Sequence, residues 1–266
     1  MEHFQEYLKQ HNKSDNTISA YTNAVRQYFQ LHPDLTLSEL QLYKVFLLEH
    51  YKPQTVNQRI RALNCYLEYC NQLSVHLPMI RIQQKMYLER IISQGDYEYL
   101  KRRLWEDEEF SYYYIIRYMA ATGVRVSELV KFTIEDVQAG YKDLYSKGNK
   151  MRRIYIPAAL REQTLIWLSE EHRMRGALFL NRRGNPISPS GIRSQLKAFA
   201  GRYQLSPEVL YPHSFRHRFA KNFIEKCGDI ALLSDLLGHA SIETTRIYLR
   251  RSSSEQYRIV NKVVDW

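Results

Sequence analysis

Three short motifs in the sequence carry side chains that could bind an anion or act as a nucleophile. The first is Ala121-Thr-Gly-Val-Arg125-Val-Ser-Glu128, in which Gly123 interrupts an apolar helix and Arg125 follows at once. A guanidinium beside the unpaired backbone N–H groups of a helix start suits an anionic ligand. Taken alone, however, this motif is better explained as a surface arginine paired with Glu128.

The second motif is Pro212-His213-Ser-Phe-Arg216-His217. His213 and Arg216 are three residues apart, so they share one face if the segment is helical. His213 and His217 have the spacing of zinc ligands, but Ser214 stands where a zinc protease needs a glutamate. A metal site is therefore not expected, and a basic, solvated helix start is the default interpretation of this motif alone.

The third motif runs from Gly238-His239 to Tyr248. Gly238 is expected to end an apolar helix, and Ser241 can cap the next helix, with Tyr248 two turns along it. A phenol in such a place could act as a nucleophile. With 21 tyrosines in the chain, a single tyrosine is by default a core or surface residue.

The pattern of the first 75 residues predicts a small helical bundle. Ser14 can cap a helix with apolar residues at three-and-four spacing, a second helix is expected over about 37–51, and Pro53 suits the first turn of the next. Residues 76–91 are predicted to form a linker, because they include Pro78 and show no clear periodicity. The second domain is expected from about Ile92.

The second domain is predicted to be mainly helical with one small antiparallel sheet. Two β-prone runs flank Gly148-Asn149, which is typical of a hairpin, and this arrangement puts Lys147 at the hairpin tip. Another helix is expected after Ser188-Pro189. Ordinary helix and turn residues account for the rest.

The composition favours a polyanionic partner without proving one. The formal net charge is +10, and residues 1–88 carry nine Lys/Arg and seven Asp/Glu, so that +8 of the charge lies C-terminal to them. Clustered cations gain affinity for nucleic acid by releasing counterions, although a solvated basic surface is as good an explanation. Three cysteines without a CxxC pair indicate reduced thiols, and no long apolar run or signal segment indicates a membrane, so a cytoplasmic protein is expected.

Together these motifs resemble the tyrosine recombinase (phage integrase) family, including the Xer-type recombinases. The phrases ATGVRVSEL, SKGNKMRR, HSFRHRFA and LGHASIETTRIY look like signatures of that family and occur in its order. The resemblance covers about residues 92–250 and extends more weakly to the N-terminal bundle through residues 16–21. Phe215 and Arg218 depart from the commoner residue types, but neither replaces a catalytic group.

The resemblance implies an architecture and an activity. It implies an N-terminal SAM-like core-site DNA-binding domain over residues 1–75, a linker over 76–91, and a catalytic domain over 92–250. Residues 251–266 would form a tail for contacts between protomers. The two domains would form a C-shaped clamp on double-stranded DNA, four protomers would act on paired recombination sites, and no cofactor would be needed. An accessory protein is left open.

The resemblance also assigns roles to individual residues. Arg125 and Arg216 would clamp the charge that develops on the phosphate, since guanidiniums stay protonated and donate paired hydrogen bonds. Tyr248 would be the nucleophile and His213 its base or proton-positioning group. Two further assignments follow from the family pattern: Lys147 as the acid for the leaving 5′ oxygen and His239 as a phosphate ligand.

Five further basic residues are expected to contact DNA phosphates or, equally, to be solvated. These are Lys150, Arg152, Arg153, Arg182 and Arg183. Two other functions compete with site-specific recombination: DNA relaxation like that of a type IB topoisomerase, and a non-catalytic DNA-binding regulator. Because the first helix starts so near residue 1, no separate N-terminal arm-binding domain is expected.

Overall fold

The structure, a computed structural model, describes residues 1–72, 75–82, 90–145, 151–239 and 241–249, together with residues 257, 260–262 and 264. This part of the chain is mainly helical and contains a small two-stranded antiparallel sheet, which confirms the expected fold class. The chain divides into two compact units, Met1–Gln84 and Lys85–Trp266. The division falls within the segment predicted to be the linker.

The first unit is a four-helix bundle whose helix starts follow local capping rules. Its helices are α1 (Glu2–Gln10), α2 (Asp15–Leu31), α3 (Leu37–His50) and α4 (Pro53–Tyr69). The Ser14 hydroxyl accepts from the Thr17 N–H over 3.4 Å, and Pro53 occupies the first turn of α4, both as expected. Its core is built from apolar residues of all four helices, among them Phe4, Leu8, Val25, Tyr28, Leu40, Tyr43, Leu47, Ile60 and Leu63.

An extended segment, residues 75–82, packs on this first unit, although residues 76–82 were expected to belong to the linker. The Leu77 N–H donates to Asn64 Oδ1, and Asn64 Nδ2 donates back to the Leu77 carbonyl, both over 3.0 Å. Asn57 makes the same pair of bonds with Ile80 over 2.9 Å. The two amides therefore satisfy the backbone of the segment as a neighbouring strand would, and Leu77 is buried.

The second unit carries the three motifs among helices that enclose a large apolar core and a second, smaller apolar cluster. The described helices are α5 (Gln94–Glu106), α6 (Phe110–Thr122), α7 (Val126–Leu129), α8 (Ile134–Ala139), α9 (Ala158–Glu170), α10 (Pro189–Arg202), α11 (Pro212–Cys227), α12 (Ile230–Leu237) and α13 (Glu243–Arg246), followed by a 3-10 helix (Ile247–Leu249). Tyr248 thus lies in a 3-10 turn rather than two turns along a regular helix. Ile242 is the N-cap of α13, and the Ser241 hydroxyl accepts from the Glu243 N–H over 3.3 Å.

The expected hairpin is formed by β1 (Tyr141–Tyr145) and β2 (Met151–Tyr155), which pair antiparallel. Asp143 lies opposite Arg153, and Leu144 lies opposite Arg152. Because side chains alternate along a strand, Arg152 shares a face with the buried Ile154, whereas Arg153 points the other way. Residues 146–150, which join the two strands, lie outside the described residues.

Two glycines end apolar helices where the sequence predicted. Gly123 terminates α6 with φ of 63°, and Gly238 terminates α12 with φ of 62°. Only glycine fits well at position 123, because a Cβ on Gly123 would lie 2.4 Å from Phe219 Cδ1. Arg125 and His239 follow these two turns directly, so the turns fix where both side chains start.

Candidate active site

Arg125 and Glu128 form a closed pair at the start of α7. The Arg125 backbone N–H donates to Glu128 Oε2 over 2.9 Å, and its Nη1 donates to Glu128 Oε1 over 3.0 Å. Arg125 Nη2 also reaches the Gly238 carbonyl, over 3.3 Å. The pairing proposed for the motif taken alone is therefore present, and the same guanidinium also contacts the turn that carries His239.

Arg216 is buried and lies at the centre of the motifs. Its side chain enters from α11, and the residue is 3% exposed. Nη1 donates to the Gly123 carbonyl and Nη2 to the Leu237 carbonyl, both over 2.7 Å. Burial, with the nearby guanidiniums, lowers the pKa of Arg216 to about 10, so the group stays protonated at neutral pH. The two glycine-ended helices thus meet on one buried cation.

The hydrogen bonds of His239 define its tautomer. Its Nε2 lies 2.9 Å from Nη2 of Arg216, and its Nδ1 lies 2.8 Å from the hydroxyl of the buried Thr245. A guanidinium can only donate, so Nε2 must accept and Nδ1 carries the proton. Burial and the neighbouring arginines lower the pKa of His239 to about 4. His239 is therefore a neutral side chain held between Arg216 and Thr245.

Tyr248 is bound by His217. The Tyr248 hydroxyl lies 2.7 Å from His217 Nδ1, and the ring packs beside the small apolar cluster of α11 and α12. Burial raises the pKa of Tyr248 to about 12, with Arg216 acting in the opposite direction. Burial and the neighbouring His213 lower the pKa of His217 to about 4. At neutral pH both partners are uncharged, and His217 has a free lone pair for the phenolic proton when its other nitrogen, Nε2, is protonated.

His213 lies one turn before His217 on α11, and the two rings are 6.3 Å apart between centroids. His213 is exposed. The family resemblance makes His213 the base or the proton-positioning group for the phenol, whereas the described hydrogen bond to the phenol belongs to His217. The motif alone had suggested His217 only as a zinc ligand. The i to i+4 spacing of the two histidines was the available signal.

Arg152 lies inside this cluster. Its Nη2 donates to Glu128 Oε2 over 2.9 Å, and its Nη1 donates to the Leu237 carbonyl. Its side chain is 11% exposed. Strand alternation could have found this residue from the sequence, because Arg152 is two positions before the apolar Ile154 on β2.

The remaining predicted DNA contacts lie elsewhere. Arg153 donates to both oxygens of Asp143, over 2.7 and 2.8 Å. Arg182 and Arg183 are exposed in the turn before α10, and Arg182 lies 4.0 Å from Glu109. Lys147 and Lys150 lie outside the described residues.

Among the described residues, no group of three or more His, Cys, Asp or Glu side chains could hold a metal ion. Nor does any helix in this part of the chain have the length and apolar character needed to cross a membrane.

Known proteins are similar to this chain in sequence. The profile of the phage integrase family matches residues 88–255. Tyrosine recombinase XerC of Pseudomonas putida is 36% identical over 143 residues, which cover 50% of this chain and 46% of that protein. The TnP I resolvase of Bacillus thuringiensis is 26% identical over 287 aligned residues, covering 98% of this chain and 97% of the resolvase.

The fold is shared as well. The Tn1549 transposon integrase, solved in complex with transposon right end DNA, superposes with a TM-score of 0.75 at 16% identity, and 98% of each chain is covered. The chain spans about half the length of the XerC proteins it matches. These relatives do not favour the topoisomerase-like or regulator alternatives. Because the family profile matches more than half of the chain, including the motifs of Arg125, Arg216, His239 and Tyr248, the chain belongs to the phage integrase family.

Proposed function

We propose that this chain is a site-specific DNA recombinase that cleaves and rejoins strands through a 3′-phosphotyrosyl intermediate. The observation that carries the proposal is the convergence of Arg125 and Arg216 on the carbonyls of Gly238 and Leu237 beside the Tyr248 phenol. His239 is hydrogen-bonded to Arg216 at the same place. Such a cluster of fixed donors around a nucleophile suits an oxyanion that gains charge during reaction.

The two guanidiniums would hold the scissile phosphate. Arg216 donates three of its five N–H groups to described partners, which are the carbonyls of Gly123 and Leu237 and the ring of His239. Two N–H groups are left for the phosphate. Arg125 donates two side-chain N–H groups, to Glu128 and to the Gly238 carbonyl, and has three left. Because backbone carbonyls fix both groups in advance, little reorganisation is needed when negative charge develops.

Tyr248 would attack phosphorus while His217 takes its proton. The Oη–P bond forms, the bond from phosphorus to the 5′ oxygen breaks, and the phenolic proton passes to His217 Nδ1, 2.7 Å away. The leaving 5′ oxygen takes a proton from the predicted acid Lys147. The family resemblance assigns the basic role to His213, so a comparison of His213→Gln with His217→Gln decides which histidine activates the phenol.

The assembly is part of the same proposal. The two units would close as a C-shaped clamp on double-stranded DNA in the cytoplasm, with four protomers on paired recombination sites and residues 251–266 joining neighbours. Stored bond energy in the phosphotyrosyl link would allow rejoining without ATP. An accessory protein would act on this assembly rather than supply chemistry, because the proposed reacting groups all belong to this chain.

The test is a covalent trapping experiment on nicked duplexes drawn from the DNA that flanks the gene. A nick beside the cleavage point lets a short 5′ fragment leave, so the intermediate accumulates as a denaturation-resistant adduct. Wild type and Tyr257→Phe should form the adduct, whereas Tyr248→Phe should not; Tyr257 is the matched control because its side chain is exposed outside the cluster. An adduct that survives in Tyr248→Phe would assign the nucleophile to another residue. Tight DNA binding with no adduct in the wild type would favour a regulator.

A further inference from the structure

Arg152 links the two arginines that the proposed function places on the phosphate. It donates to Glu128 Oε2 over 2.9 Å and to the Leu237 carbonyl. Glu128 also accepts from Arg125 over 3.0 Å, and the Leu237 carbonyl also accepts from Arg216 over 2.7 Å. Each acceptor is therefore shared by two guanidiniums, and the result is a continuous chain from Arg125 through Arg152 to Arg216.

The space around Arg152 is shaped for its guanidinium. A Cβ on Gly238 would lie 2.6 Å from Arg152 Cδ and 2.6 Å from its Nη1, so the turn before His239 has to pass directly under this side chain. Among the described residues, Arg152 Nε is buried without a hydrogen-bond partner. Burying a charged group is costly unless it is paired, and the two shared acceptors supply that pairing. The side chain is thus fixed on the protein side of the site.

The next residue on the strand shows the contrast. Arg153 points to the opposite face, where it binds Asp143 and lies 3.8 Å over the ring of Tyr141. From the sequence, both arginines were expected to contact DNA phosphates. Only Arg152 touches groups that also hold the proposed phosphate ligands.

We propose that Arg152 is a positioning residue that fixes the spacing of Arg125 and Arg216 by holding Glu128 and the Leu237 carbonyl. The inference rests on the proposed function and adds a residue that need not touch DNA. Without Arg152, the Glu128 carboxylate would be free to pair with Arg125 alone, and the Leu237 carbonyl would have only Arg216 to fix it. The two guanidiniums would then no longer be held at one distance, which weakens a site that depends on preorganised donors.

The kinetic test uses the nicked-duplex assay with DNA at saturating concentration. Arg152→Ala should lower the rate of adduct formation ~10–100-fold, the usual cost of losing a group that orients a site, with little change in DNA affinity. Arg152→Lys should recover little of the rate, because one ammonium cannot reproduce the planar fork that reaches both acceptors. Arg173→Ala is the matched control: Arg173 is half-buried and donates to the carbonyls of Leu178 and Ala177, away from the site, so the rate should stay at the wild-type level.

Two results with the Arg152 variants would each overturn the inference. A variant that loses DNA affinity but keeps the wild-type rate at saturation makes Arg152 a DNA contact, and full rescue by lysine makes its charge alone sufficient. If Arg152→Ala fails to fold, Gly238→Ala offers a second route, since it pushes the Arg152 guanidinium from its place. Its effect should then be smaller in an Arg152→Lys background than in the wild type; additive effects would contradict the coupling.

A measurement without DNA separates this inference from the proposed function. Nitrogen-15 spectra of the histidine side chains report the tautomer of His239, whose Nε2 accepts from Arg216. Arg152→Ala should change the Nε2 shift of His239, because Arg216 loses the partner that fixes its shared carbonyl. An unchanged shift overturns the positioning role even if the wild type forms the adduct. A changed shift supports that role even if no adduct is found.

Discussion

Replacing Gly123 with alanine should destabilise the second unit much more than the same change at Gly228. Both glycines end long helices in the left-handed region, with φ of 63° and 74°. A Cβ at Gly123 would lie 2.4 Å from Phe219 Cδ1 and 2.9 Å from Leu237 Cδ2, whereas nothing lies within 4 Å of a Cβ at Gly228. Both substitutions therefore cause backbone strain, but only Gly123→Ala adds a steric overlap.

The expected sizes follow from these two contributions. A left-handed alanine costs about 1–2 kcal/mol, which is the whole expected loss for Gly228→Ala. Overpacking a filled core adds about 1–3 kcal/mol, so Gly123→Ala should lose about 2–5 kcal/mol in total. The Gly123 carbonyl also accepts from Arg216 over 2.7 Å, so a shift of this turn should slow adduct formation as well.

Urea unfolding followed by tryptophan fluorescence measures the difference in unfolding free energy for the second unit, which contains both glycines. The chain has three tryptophans, at positions 105, 167 and 266, and all lie within residues 85–266. The fluorescence signal therefore reports the unfolding of the second unit and does not report that of the first unit. Equal losses of unfolding free energy in the two variants would show that the space beside Phe219 is not filled, and the packing argument for Gly123 would fail.

Two further predictions concern His217 and Asn64. In the wild type, the rate of adduct formation should fall as the pH drops toward about 4, because His217 then gains a proton and can no longer accept one from Tyr248. His217→Gln should be slow at every pH from 4 to 9, and any acid limb that it keeps would belong to His239, whose pKa is also lowered to about 4. A His217→Gln rate equal to that of the wild type at neutral pH would exclude His217 as the base. Asn64→Ala should leave the Leu77 backbone N–H unpaired at a cost of about 1–3 kcal/mol. Limited proteolysis should then cut residues 75–82 sooner than in the wild type, and an unaltered cleavage rate would contradict the packing of that segment.

The elements that hold the site were predictable because each has a local signal. Gly123 and Gly238 follow apolar helices and permit the left-handed turn that ends them. The hairpin follows from β-prone runs on either side of a turn dipeptide. Residues 75–82 could not be assigned in this way, because two side-chain amides, on Asn57 and Asn64, hold them, and such pairing leaves no periodicity in the sequence.

Contacts between elements were the part that the sequence left undecided. His213 and His217 lie one turn apart on α11, so spacing places both near the same face but does not choose which one meets Tyr248. The choice depends on how the 3-10 helix packs against α11, and that packing is set by the apolar cluster beside Tyr248. The family resemblance names the reacting residues but not the contacts among them.

The three arginines show why charge counting is a weak guide to such a site. Arg125, Arg152 and Arg216 lie close together, and two acceptors shared between them, the Glu128 carboxylate and the Leu237 carbonyl, offset their mutual repulsion. One carboxylate cannot neutralise three guanidiniums, so the cluster keeps an excess of positive charge, a part of it buried. In the proposed reaction, a scissile phosphate would supply the missing negative charge where the donors of Arg125 and Arg216 are already fixed. The same imbalance that costs stability in the free protein would then favour phosphate binding, and Arg152 would contribute to both.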